Sequence, residues 1–171
     1  SPGGHYMPDK FLFENGNGED VKNICDVANE LGNRYVSIPW LSAEKRKNID
    51  QYKALAERLN KAGEICKKAN LQLAYHNHDF EFDDFNGEHG YDILLNKTDN
   101  DLVKMELDLY WVVRAGYDPI TLFKSNPGRF HLWHVKDMSK TDKTQNTEIC
   151  NGVLDFKNIF KSAKLAGVKH F

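Results

Sequence analysis

The chain has 171 residues, a formal net charge of −2 and a pI near 6.4. With 28% charged and 40% hydrophobic residues and plentiful aromatics, it is neither a disordered tail nor a collagen-like or low-complexity chain. The near-neutral balance without basic clusters argues against a nonspecific grip on nucleic acid, and no apolar run reaches the roughly 18 residues of a membrane span. Cys25, Cys66 and Cys150 lie far apart with no CxxC, which indicates neither a disulfide framework nor a zinc knuckle. An odd cysteine number fits a reducing, cytoplasmic location. A periplasmic one stays open, because Ser1-Pro2-Gly3-Gly4-His5 is neither a signal peptide nor a start methionine and the chain need not begin where its gene does.

In chain order, residues 19–31 read as an amphipathic helix. Val21, Ile24, Cys25, Ala28 and Leu31 share one face, and Gly32 supplies a left-handed stop. Residues 34–40 read as a strand closed by Pro39. A long helix follows with Leu55, Leu59, Ala62, Cys66 and Ala69 inward and Lys, Glu and Arg outward. The run Glu44-Lys45-Arg46-Lys47 reads as solvated surface. A second strand covers 71–76 and runs into Asn77-His78, and 91–97 forms a short helix. A third strand covers 103–109 and a fourth 130–136, with a helix over 118–125 between them that has Pro119 in its first turn. Asp155 then caps a helix with Phe156, Ile159, Phe160 and Ala163 inward, which Gly167 ends. Residues 168–171 open another strand.

Strand starts near 35, 71, 103 and 130 are separated by 36, 32 and 27 residues, the length of a strand, a helix and two loops. Repeated βα units mean a parallel sheet with helices outside, either doubly wound or a (β/α)8 barrel. The doubly wound sheet usually carries a glycine-rich phosphate loop, and Asn15-Gly16-Asn17-Gly18 lacks GxGxxG spacing. Polar residues instead collect at the C-terminal strand edges, where barrel active sites are built. The whole chain, 1–171, is therefore read as a single domain of the barrel kind.

Alternation puts His76 and His78 on one face of the second strand, Glu106, Asp108 and Tyr110 on one face of the third, and Leu132, His134 and Lys136 on one face of the fourth. Imidazoles and a carboxylate converging at one barrel mouth suit a divalent ion. Blander readings exist. Glu106 or Asp108 could simply pair with Lys136 or Arg114, Tyr75 and Trp111 could pack as core, and Cys150 reads as a small apolar filler. His89, His131 and His170 are out of phase or in loops and receive no role.

Three ordered segments carry a family resemblance: Ala74-Tyr75-His76-Asn77-His78-Asp79-Phe80-Glu81-Phe82, Glu106-Leu107-Asp108-Leu109-Tyr110-Trp111 with Ala115-Gly116, and Leu132-Trp133-His134-Val135-Lys136-Asp137. Together with the N-terminal motif Ser1-Pro2-Gly3-Gly4-His5, Ile38-Pro39-Trp40 and Asn151-Gly152-Val153-Leu154-Asp155-Phe156 they resemble the xylose-isomerase-like TIM barrel superfamily, in its sugar phosphate isomerase/epimerase group. The resemblance implies a (β/α)8 barrel of about 250 residues, of which this chain lacks the first strands and most of the last. It also implies an unstable isolated segment, in which inward residues such as Leu73, Met105 and Leu132 lose their partners.

The family binds one divalent metal through a Glu, an Asp, a His and a second Glu. Asp108 matches the Asp and His134 the His. His76 stands where the first Glu is usual, with His78 or Glu81 as the alternative, and the second Glu is expected beyond Phe171. The ion, Mn, Zn, Mg, Fe or Co, would polarise a carbonyl or vicinal hydroxyl. The resemblance thus implies a metal-dependent sugar (phosphate) isomerase or epimerase acting through an enediolate. His76, His78 and Lys136 are its candidate catalytic groups, and His5, Trp40, Asn77 and Trp111 its candidate substrate contacts. Replacement of the Glu keeps two alternatives open: a lyase or hydratase on a 3-keto-sugar or inosose, and a non-catalytic sugar-binding barrel. Ala115-Gly116-Tyr117-Asp118 echoes DNA-repair enzymes of the endonuclease IV kind, but their three-metal site needs further histidines that the loop 139–148 lacks. The expected partner is a small sugar or keto-sugar, with neither nucleic acid nor membrane, and a homo-oligomer is allowed.

Overall fold

Strand β1 (Gly4–Tyr6) opens the chain in a computed structural model that describes residues 4–13 and 18–171. Ser1-Pro2-Gly3 of the N-terminal motif and Asn15-Gly16-Asn17 therefore lie outside the described residues. The order continues with helix α1 (Lys10–Phe13), α2 (Glu19–Glu30), β2 (Tyr35–Ile38), α3 (Ile49–Lys68), β3 (Gln72–His76), the hairpin strands β4 (Asp84–Phe85) and β5 (Glu88–His89), and α4 (Gly90–Lys97). Then come β6 (Val103–Asp108), α5 (Leu109–Arg114), α6 (Pro119–Ser125), β7 (Leu132–His134), the hairpin strands β8 (Asp137–Met138) and β9 (Asn146–Thr147), α7 (Phe156–Lys161) and α8 (Ala163–Ala166). Two compact units result. The first comprises Ser1–His76 and Asp83–Lys104, the second Asn77–Phe82 and Met105–Phe171.

In the first unit β1, β2 and β3 pair in parallel, with His5 opposite Val36 and Val36 opposite Leu73. The covering helices form where the periodicity places them. In α2, Val21, Cys25 and Ala28 are buried, and Gly32 stops the helix at φ 69°. Leu31, read as an inward residue, is instead 64% exposed. It is the C-cap, where the helix has already turned its last buried position away. In α3 the Asn48 side chain accepts from the Gln51 amide at 3.0 Å, and Lys67 and Lys68 sit at the negative end of the helix dipole. Gly63 lets α3 approach the turn before β6, since a Cβ there would lie 2.8 Å from the Leu102 carbonyl oxygen. Cys25 and Cys66, on α2 and α3, are buried with their Sγ atoms 3.6 Å apart. The Asn86-Gly87 turn, at φ 59° and 89°, closes the small β4–β5 hairpin, a turn that demands left-handed residues.

In the second unit β6 and β7 are parallel, pairing Glu106 with Leu132, Leu107 with Trp133 and Asp108 with His134. The predicted strand at 168–171 begins beside β7, where Leu132 and His170 form a parallel bridge and the Trp133 amide donates to the His170 carbonyl at 3.0 Å. Trp133 packs outward against Phe123 in a stack (5.0 Å between centroids, 13°) and edge-on against Phe160 (5.2 Å, 84°). Such pairs add about 0.5–1.5 kcal/mol each beyond their buried area.

Several expectations change. The third strand ends at Asp108, and Tyr110 lies in α5, because Asp108 caps that helix directly and strand alternation stops there. The fourth strand is only Leu132–His134 and leaves Lys136 beyond it. The helix expected after Asp155 breaks at Ser162 into α7 and α8, and leaves Phe160 and Ala163 half-buried. Met105 does not share the face of Leu132: the register pairs Leu132 with Glu106, so Met105 and Leu107 turn to the Trp133 side. Leu73 likewise lies on the face opposite His76. Cys150 is exposed rather than a filler, since it takes φ 74° in a loop whose amide is held from inside. Among the described residues no helix is long and apolar enough to cross a membrane.

Candidate metal and substrate site

Asp108 ends β6 and begins α5, and its two carboxylate oxygens take different partners. Oδ1 accepts from the backbone amides of Tyr110 (3.0 Å) and Trp111 (3.2 Å), the first turn of α5. Oδ2 faces Lys136 Nζ at 2.9 Å and His134 Nδ1 at 3.5 Å. The carboxylate is fully buried, while the Lys136 and His134 side chains keep 28% and 38% exposure. The Asp108 amide donates to Asn77 Oδ1 at 3.0 Å, and Asn77 Nδ2 donates to the His78 carbonyl at 3.2 Å. Asn77 is fully buried and acts here as a clamp on the end of β6.

His78 lies beyond its strand. Its amide donates to Glu81 Oε2 (2.8 Å), its ring stacks on Phe80 (5.3 Å, 6°), and it tilts against Trp111 at 5.2 Å. Glu81 is itself fully buried. The Arg114 guanidinium covers the other neighbourhood of Trp111, 4.7 Å from the ring and 3.5 Å from Asp79. The buried Trp111 Nε1 has no acceptor among the described residues, which leaves a donor available beside these rings. The pairing foreseen as the bland alternative, Asp108 with Lys136, is present; Arg114 pairs with Asp79 instead.

The first unit holds the remaining candidates. His76 is the buried last residue of β3, directly before Asn77. The β1–β2–β3 register puts His5 on the face of Val36 and Leu73, opposite that of His76. Trp40 is exposed, with the Arg46 guanidinium 5.6 Å above its ring.

Asp137 escaped the sequence reading. It is fully buried and its carboxylate accepts four backbone amides: Met138 (2.8 Å) and Leu154 (3.1 Å) on Oδ1, Cys150 (3.0 Å) and Gly152 (2.9 Å) on Oδ2. Gly152 is required, because a Cβ would collide with that carboxylate and with the Met138 carbonyl. The available signal was the acidic residue directly after Lys136, ahead of a polar loop that returns through Asn151-Gly152.

The donor set fits a divalent cation: one buried carboxylate oxygen beside one imidazole nitrogen, at the C-terminal ends of paired parallel strands.

Comparison with known proteins agrees with this architecture. A profile described as xylose isomerase-like TIM barrel matches residues 7–170. A sugar phosphate isomerase/epimerase from Parabacteroides distasonis superposes with a TM-score of 0.83 at 30% identity, covering 98% of this chain and 61% of that one. The IolI protein, whose structure has a bound zinc atom, superposes with a TM-score of 0.73 over 92% of this chain and 60% of its own; at 18% identity it speaks to the fold alone. Inosose dehydratase from Clostridium perfringens is 33% identical over 93 residues, 54% of this chain and 31% of the relative. That from Lacticaseibacillus casei is 25% identical over 134 residues, 69% of this chain and 44% of the relative. The chain thus spans less than half the length of these curated relatives. Its parallel strands and outer helices are part of a (β/α)8 barrel, and the chain belongs to the xylose isomerase-like TIM barrel family.

Proposed function

We propose that the protein is a metal-dependent lyase that removes water from a cyclic keto-polyol of the inosose type. The observation that carries this reading is the Asp108 carboxylate, buried at a strand end with its Oδ2 turned to both His134 and Lys136. The inosose dehydratases among its relatives favour dehydration over the isomerase reading that the sequence puts first. Asp108 and His134 offer one carboxylate and one imidazole to a single ion, and His76 is the third ligand of this reading. That donor chemistry suits a borderline divalent cation. The 7–170 match across both units supports treating the chain as one barrel domain.

A bound divalent ion supplies Lewis-acid polarisation of the substrate carbonyl. The chain's own groups do the rest. His78, held against Phe80 and Trp111, takes the proton from the carbon beside the carbonyl. Lys136 donates to the hydroxyl that leaves as water. Trp111 packs on the ring face and Asn77 positions Asp108, while His5, on the sheet face opposite His76, takes no part.

A second reading, isomerisation or epimerisation of a sugar phosphate, is favoured by the 30% identical Parabacteroides structure. Incubating the intact protein with a keto-inositol and a panel of keto-sugars in D2O, followed by NMR and ultraviolet absorbance, separates the two. Dehydration gives an unsaturated or enolised ketone that absorbs, with one water lost per substrate. Isomerisation gives deuterium uptake at an unchanged elemental composition. Neither product in the presence of metal would leave a sugar-binding barrel.

A further inference from the structure

Asp108 can offer a metal only one oxygen. Oδ1 accepts both amides of the first turn of α5, and freeing it would unwind the start of that helix. Oδ2 is the oxygen that faces His134, and Lys136 Nζ already sits 2.9 Å from it. We propose that Lys136 is a displaceable internal counter-ion, whose ammonium holds Asp108 Oδ2 while no ion is bound and yields that oxygen to an incoming divalent cation. This rests on the metal-site reading above and adds the order of events within it.

Three features make the exchange feasible. The carboxylate is fully buried, so leaving it without a counter-charge would be strongly unfavourable, and Lys136 meets that need. A second positive charge on the same oxygen would be repelled at short range in a poorly screened interior. The Lys136 backbone is also held from both sides. His134 is paired to Asp108 in the strand register, and Asp137 gathers four amides. Movement is thereby confined to the side chain, a four-carbon stem with rotatable bonds that keeps 28% exposure and hence a way out toward solvent. Once displaced, the ammonium stands beside the ion it has made room for, where it can meet the hydroxyl oxygen of a bound polyol.

Calorimetric titration of the intact protein with Zn²⁺ alone tests this with wild type, Lys136→Met and Lys136→Arg. The Met variant should bind about tenfold tighter or more, and the charge-keeping Arg variant should show no gain. Equal or weaker binding by Lys136→Met overturns the counter-ion proposal and leaves the metal site standing. No Zn²⁺ binding by any of the three overturns both. A measurement on wild type alone guards against misfolded variants: reductive methylation read by mass spectrometry. Lys136 should label slowly without Zn²⁺ and at least about threefold faster with it. Labelling that is unchanged or slowed by Zn²⁺ overturns the proposal.

Discussion

Asp108 and His134 are register partners on β6 and β7, and their side chains meet with Oδ2 3.5 Å from Nδ1. Strand pairing itself therefore sets the spacing of the two proposed ligands. Because Oδ1 of Asp108 is a helix cap and Oδ2 is not, the two roles separate by substitution. Asp108→Asn keeps an amide oxygen for the cap but removes the charge. It should lower Zn²⁺ affinity by about 100-fold or more, at or above the upper end of what outer-shell changes cause, with little loss of thermal stability. Asp108→Ala should lose binding and about 1 kcal/mol of helix capping as well. Titration calorimetry beside urea unfolding checks both; an Asn variant with wild-type affinity refutes the ligand role.

Asp137→Asn replaces a group with two accepting oxygens by one that turns an NH2 toward backbone donors. Up to two of the four amides would lose their partner inside the protein. Urea denaturation should show a loss of about 2–4 kcal/mol, and the amides of Cys150 and Gly152 should exchange hydrogen faster. Unchanged protection of those amides would show that the carboxylate does not organise the loop.

Gly63→Ala tests two opposed effects. At an exposed helix position this change gains about 1 kcal/mol. Here the new methyl would lie 2.8 Å from Leu102 O and 2.9 Å from Leu102 Cβ, and backbone cannot yield as a flexible side chain does. Overpacking should win, with a net loss of about 1–3 kcal/mol by urea unfolding. A stabilised variant would mean that α3 and the turn at Leu102 are free to separate.

The Asp142 carboxyl is held below its ordinary value, first by the Thr144 hydroxyl (2.7 Å) and then by the Thr144 amide (2.8 Å). A carboxyl lowered on folding stabilises the protein above the unfolded value near 3.9, and that contribution fades as pH falls through the lowered folded value. Thr144→Val removes the hydroxyl bond. The Asp142 midpoint, followed by NMR, should then rise toward 3.9; an unmoved midpoint would locate the cause elsewhere.

The parallel strands were readable because each is a short apolar run whose helix-length spacing admits few topologies, and Val36, Leu73 and Leu107 are indeed fully buried. The β6–α5 junction was not. Asp108 is at once the last strand residue and the helix cap, so alternation carried the reading past it to Tyr110. Asp137 was hidden for a different reason. Its four partners are backbone amides, which every non-proline residue possesses and which leave no trace in side-chain identity. The β4–β5 hairpin did carry a legible signal, Asn86-Gly87, which the longer βα rhythm obscured.

The four-amide grip of Asp137 also divides the following segment into a root and a tip. Residues 150–154 and 138 are tied to one buried point, whereas the stretch between Ser139 and Glu148 returns through the two-residue β8–β9 pairing, local turns and a bond from the Tyr110 hydroxyl to the Lys143 carbonyl at 3.1 Å. None of the four amides that Asp137 gathers belongs to that tip. A protease nick or a short insertion within residues 139–148 should therefore leave residues 150–154 fixed, because the point that holds them lies outside the tip.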